Sequence, residues 1–127
     1  MQTSDQRSGS NLLGLQTVIY AAPELDTLKA WYATMLGYGP YFDQPYYVGF
    51  QVGGYELGLD PHATLQLGST ITYWGVTNIM TVYDRLLALG AGADTPITEV
   101  GDGIKTATLK DPAGNVLGLI ETPQVKR

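Results

Sequence analysis

The chain has 127 residues, 44% of them hydrophobic and 15% charged, which suits one globular domain, or two small halves sharing a core, and excludes a disordered chain. It has no cysteine and a single histidine, His62, so disulfides, thiolate ligands, a cysteine nucleophile and any site needing two imidazoles from one chain are excluded. The net charge of −5 and the seven scattered Lys and Arg speak against nucleic acid as a partner, no stretch reaches the ~18 apolar residues of a membrane span, and with no cysteine to oxidise the expected compartment is the cytoplasm.

Residues 1–11 read as a flexible tail. Leu12 to Ala21 is rich in Leu, Val, Ile and Tyr and predicts a first strand; Gln16 and Thr17 interrupt the apolar run, so it reads as a strand rather than a leader. Pro23 and Glu24 suit the opening of a helix whose apolar face is Leu25, Leu28, Tyr32 and Met35, closed by Gly37, Gly39 and Pro40. From Tyr41 to Asp60 the pattern is that of strands, with Tyr46 to Val52 and Tyr55 to Leu59 joined by a Gly53-Gly54 turn. Residues 61–70 lack periodicity and read as a linker.

The order then repeats. Ile71 to Val76 predicts a strand, and Asn78 caps a helix striped by Ile79, Val82, Leu86 and Leu89, which Gly90 and Gly92 end. Ile97 to Val100, Ile104 to Leu109 and Val116 to Glu121 predict three strands, the last two joined by the turn Asp111-Pro112-Ala113-Gly114-Asn115, and residues 123–127 are a C-terminal tail. Two echoes support an internal repeat: Leu36-Gly37-Tyr38-Gly39 with Leu89-Gly90-Ala91-Gly92, and Gly54-Tyr55-Glu56-Leu57-Gly58-Leu59 with Gly114-Asn115-Val116-Leu117-Gly118-Leu119. The expected architecture is α+β: two tandem βαβββ modules, 12–60 and 71–122.

These motifs carry a resemblance. Val18-Ile19-Tyr20, Ala30-Trp31-Tyr32 and Leu36-Gly37 in the first half, and Leu89-Gly90-Ala91 followed by Asp111 to Glu121 in the second, make the chain resemble the vicinal-oxygen-chelate superfamily of glyoxalases, bleomycin-resistance proteins and extradiol dioxygenases. The resemblance implies a curved, incomplete barrel around a ligand cleft, and a homodimer as one assembly. It does not by itself imply a reaction.

Enzymes of that superfamily hold a divalent metal with His, Gln or Glu from the opening and closing strands of each module. Counted from the flanking motifs, those positions fall on Gln16, Gly58, Ile71 and Gly118, of which only Gln16 offers a side-chain donor. The expectation is therefore no cofactor, and a metal-free protein that binds a small aromatic or cationic molecule through Gln16, Tyr20, Tyr47, Gln51, Glu56, Gly58, Tyr73 and Gly118, with the two glycines widening the cleft floor. Trp31 and Tyr32 are expected in the core and Trp74 beneath the helices. Two alternatives stay open: a metal-dependent lyase, isomerase or dioxygenase with a site rebuilt from Gln16, Glu56, Asp60 and His62, and metal-free acid–base chemistry at Glu56. Glu121 is expected to face away from Gly118.

Overall fold

The computed structural model of the chain describes Asn11, Leu13 and residues 15–68 and 70–123; the expected tails lie outside these residues except at Asn11 and Pro123. In the first module, strand β1 (Thr17–Ala21) leads through Pro23 and Glu24 into helix α1 (Leu25–Leu36). Helical spacing sends Leu28, Trp31 and Tyr32 to one buried face. Gly37 ends the helix in the left-handed region (φ 87°), where its N–H reaches the carbonyl of Ala33. Strands β2 (Phe42–Gln44), β3 (Tyr47–Val52) and β4 (Tyr55–Asp60) follow.

The second module repeats this with β5 (Thr72–Gly75), α2 (Ile79–Ala88), β6 (Gly92–Gly101), β7 (Ile104–Lys110) and β8 (Val116–Glu121). Asn78 caps α2, its Oδ1 accepting from the Thr81 N–H at 3.1 Å. Glu121 holds the same helix end from β8, accepting the Ile79 N–H at 2.7 Å; it faces the helix, as its parity requires.

Each module forms one four-stranded sheet, ordered β1-β4-β3-β2 and β5-β8-β7-β6, with the opening strand parallel to the closing one and the other pairs antiparallel. The architecture is α+β, with no closed barrel. Strand alternation gives each sheet a helix side and an open side. Tyr20, Val48, Phe50, Leu57 and Leu59 from the first sheet, and Ala107, Leu109, Leu117 and Leu119 from the second, are all buried in one core with Leu28, Trp31, Tyr32, Ile79 and Leu86.

Two expectations are corrected. The first strand begins at Thr17, leaving out Leu13, Leu15 and Gln16 of the expected strand (Leu12 and Gly14 lie outside the described residues), because only from Thr17 onward does β4 supply a parallel partner (Thr17 opposite Glu56). Strand β6 is more than twice as long as the expected Ile97 to Val100, running from Gly92 to Gly101 through three irregularities of register; as an edge strand almost wholly exposed, it needs no hydrophobic alternation, and its bulges and Pro96 discourage further pairing.

The modules are locked by polar bonds as well as by packing. The Trp31 indole N–H donates to the carbonyl of Leu89 at 2.9 Å, and the Tyr32 hydroxyl donates to Asp111 Oδ2 at 2.8 Å. Tyr32 also stacks on Trp74, ring centroids 6.5 Å apart, and the Trp74 indole N–H donates to the Tyr20 hydroxyl at 3.2 Å. Asn115 reaches back to β1, accepting the Ala21 N–H at 3.2 Å and donating to its carbonyl at 2.9 Å. Asp111 is 4% exposed and also accepts the N–H groups of Ala113 and Asn115 and the Asn115 side-chain amide. Every lone pair such a buried carboxylate presents has a donor, as burial of a charge demands.

Candidate functional site

The open side of the first sheet gathers half of the residues expected to meet a ligand. Pairing sets Thr17 beside Glu56, Ile19 beside Gly58, Gly49 opposite Gly58 and Gln51 opposite Glu56. Paired residues share a face, so Tyr47, Gln51, Glu56 and Gly58 stand together. Phe42, opposite Gly49, joins them.

Glu56 is the centre of this face. The hydroxyls of Tyr41 and Tyr47 both donate to it, one to each carboxylate oxygen. Tyr41 precedes β2 and reaches Glu56 because its backbone N–H bonds the carbonyl of Gly49. A side chain at Gly49 would press within 3.3 Å of both Glu56 and Tyr41, and one at Gly58 would collide with the Tyr47 hydroxyl. The two glycines are therefore the floor on which the phenols and the carboxylate lie. Phe42 packs obliquely on Tyr47 and edge-on to Tyr46, centroids 6.2 and 6.1 Å apart. Partial burial, then the hydrogen bond to Glu56, pushes the Tyr47 phenol well above the usual tyrosine range, and the bond to Glu56 raises that of Tyr41. Both phenols thus hold their protons and donate to the carboxylate.

The open side of the second sheet differs. Tyr73 pairs with Gly118, and a side chain on that glycine would come within 2.5 Å of the Tyr73 ring and 3.0 Å of Ile71. Beside it, Thr108 is buried under Thr95 and Asp94, its hydroxyl donating to Asp94 at 2.7 Å. In both modules, then, the space above the matched glycine holds a tyrosine of the chain itself. The expectation that the glycines widen an empty floor is corrected: they make room for internal rings.

The remaining expected residues are placed apart. Gln16 precedes β1 and has the opposite parity to Thr17; its carbonyl accepts the Glu56 N–H, and it is Thr17 that shares the open face. Tyr20 points to the helix side and is buried, its phenol raised chiefly by burial; it borders a hollow of about 510 Å³ between β1, the linker and β8, lined also by Leu65, Asp94, Lys110 and Asn115. The rebuilt metal site does not assemble. His62 is exposed in the turn after β4, its backbone N–H bonded to Asp60 at 2.8 Å and its ring 4.0 Å from the same carboxylate, and Asp60 lies four residues, ~13 Å, along the strand from Glu56. Among the described residues no three His, Cys, Asp or Glu side chains converge. Sequence pattern does not single out Tyr41 or Phe42 for this face, since the β2–β3 pairing brings them to it.

No protein-family profile and no curated protein matches the sequence. Solved structures do match it. A glyoxalase-related enzyme from Fulvimarina pelagi superposes with a TM-score of 0.72 at 18% identity, covering 88% of this chain and 90% of that one. A glyoxalase/bleomycin resistance protein/dioxygenase family enzyme from Burkholderia phytofirmans PsJN gives 0.74 at 15% identity, covering 85% and 98%. A lactoylglutathione lyase from Agrobacterium tumefaciens gives 0.70 at 19%, covering 87% and 94%.

Proposed function

From the fold of the vicinal-oxygen-chelate superfamily, which these likenesses establish, we propose that the protein binds a small organic molecule on the open sides of its sheets and does so without a metal. One observation carries the reading. Where enzymes of this fold present metal donors, this chain presents Gly58, Ile71 and Gly118, with phenol rings over both glycines. The fourth position is Gln16, and on β1 it is Thr17, not Gln16, that shares the open side with Glu56. Such a set does not fit a divalent cation, which requires about three or four side-chain donors on one centre. What the faces do offer is aromatic surface with a few placed polar groups, the usual make-up of an organic-ligand site.

The ligand is a small aromatic or cationic molecule, and the compartment is the cytoplasm. Nucleic acid and membrane are not partners on this reading; among the described residues no helix is long and apolar enough to cross a membrane. A homodimer is its proposed assembly. Ile19 at 54%, Ile71 at 39% and Tyr73 at 46% exposure leave apolar surface on both open faces that a second copy would cover; light scattering of the purified protein giving the mass of one chain would remove this part. The binding reading is tested by thermal shift against a panel of aromatic compounds in the presence of a chelator. Stabilisation that survives chelation is expected, and no stabilisation by any compound would overturn it.

A further inference from the structure

We propose that the cluster of Tyr41, Phe42, Tyr46, Tyr47 and Glu56 on the first module's open face is a cage for an organic cation bearing an alkylated ammonium group. The inference rests on the small-molecule reading above and narrows it to one face and one charge.

Three independent observations meet here. The first is the charge balance. Between Thr17 and Asp60 the sequence holds five acids, Glu24, Asp26, Asp43, Glu56 and Asp60, and one base, Lys29. Lys29 sits on α1 and is taken by Asp43 at 3.1 Å and Asp26 at 4.0 Å. Among the described residues Glu56 makes no ion pair, and its only side-chain partners are neutral phenols. The second is the arrangement of those phenols. They donate to Glu56, one to each oxygen, and so hold its carboxylate in place. The third is the aromatic wall. Phe42 meets Tyr46 at 70° and Tyr47 at 57°, ring centroids 6.1 and 6.2 Å apart, so the three rings make one contiguous aromatic patch beside the carboxylate. Tyr41 and Tyr46 are more than half exposed. A cation drawn to Glu56 would meet this patch, and cation–π attraction acts within about 6 Å of a ring centroid.

An anion is disfavoured by the same groups, since it would meet the Glu56 carboxylate and the negative faces of the rings. A neutral aromatic could stack on the wall but would gain nothing from Glu56. An alkylated ammonium suits the site better than a bare one, because it presents apolar methyl groups to the rings and has little hydration to lose.

The test uses three probes of similar size: benzyltrimethylammonium, benzyl alcohol and benzoate, titrated calorimetrically into the full chain and into Glu56→Gln and Phe42→Leu. The cation is expected to bind the unaltered chain most tightly. Glu56→Gln should weaken it about tenfold while leaving benzyl alcohol within about twofold. Phe42→Leu should weaken the cation about fivefold with Glu56 intact. Equal affinity for all three probes, or a cation affinity indifferent to Glu56→Gln, overturns the cage and leaves the general binding reading standing. Binding of none of the three, with a ligand found in the aromatic panel, does the same. Failure of both the probes and the panel removes the two together.

Discussion

The two modules share a strand order, a helix placement and a glycine at the same point of the closing strand, yet their open faces have little chemistry in common. The first carries a carboxylate held by two phenols on a glycine floor. The second carries Tyr73, Ile71 and a threonine–aspartate network closed on itself. The helix sides, by contrast, are alike: Leu57 and Leu59 in one, Leu117 and Leu119 in the other. The core half of each strand is constrained by packing, and the open half is free to change, so function is written on alternate residues of the same strands.

The modules also differ in what they give to the seam, and this asymmetry yields the largest expected effect. The second module supplies Asp111 and Asn115; the first supplies the groups they hold. Asp111→Ala should cost about 3 kcal/mol in denaturant unfolding, because it strands the Tyr32 hydroxyl and two turn N–H groups in a buried place. Tyr32→Phe, which removes one donor and keeps the ring, should cost about 1–2 kcal/mol. If either change cost nothing measurable, the seam would be packing alone.

The matched glycines sharpen the comparison. Gly58→Ala and Gly118→Ala should each cost about 1 kcal/mol, as a tyrosine ring is pushed from its place. Only Gly58→Ala should also weaken the cation, since Tyr47 then lets go of Glu56. Equal effects of both on the cation would mean the ligand spans the two faces.

The smallest effect is on alkaline stability. The four phenols raised above the usual value, Tyr20, Tyr32, Tyr41 and Tyr47, all belong to the first module. A tyrosine with a raised folded value keeps its proton when the unfolded chain would lose it. Its stabilising contribution is therefore complete below pH about 10 and is lost as pH rises from there through the folded value. The unfolding midpoint should fall above pH about 10, and less steeply in Tyr47→Phe; phenolate absorbance of these four should rise at higher pH than that of a free tyrosine.

Much of this fold could be read from the sequence because its elements are locally signalled: helical spacing in α1 and α2, the Gly53-Gly54 turn, and the repeated Leu-Gly-Leu closing strands. The open face was legible only in part. Tyr47, Gln51, Glu56 and Gly58 follow from alternation within one hairpin. Gln16 and Tyr20 were misassigned to the open face because the face of β1 is fixed by its pairing with β4, some forty positions on, and an apolar run before Thr17 gives no period to count from. Asp111 to Asn115 reads as a turn, which it is; that it also clamps Ala21 and Tyr32 is a tertiary fact that no local pattern contains.

We propose a metal-free protein because phenol rings, not ligating side chains, lie over the two matched glycines. Elemental analysis of untagged protein, grown with added zinc, nickel, iron and manganese and then desalted, tests it most directly. No stoichiometric metal is predicted; one ion per chain, lost to a chelator together with ligand binding, would contradict the account.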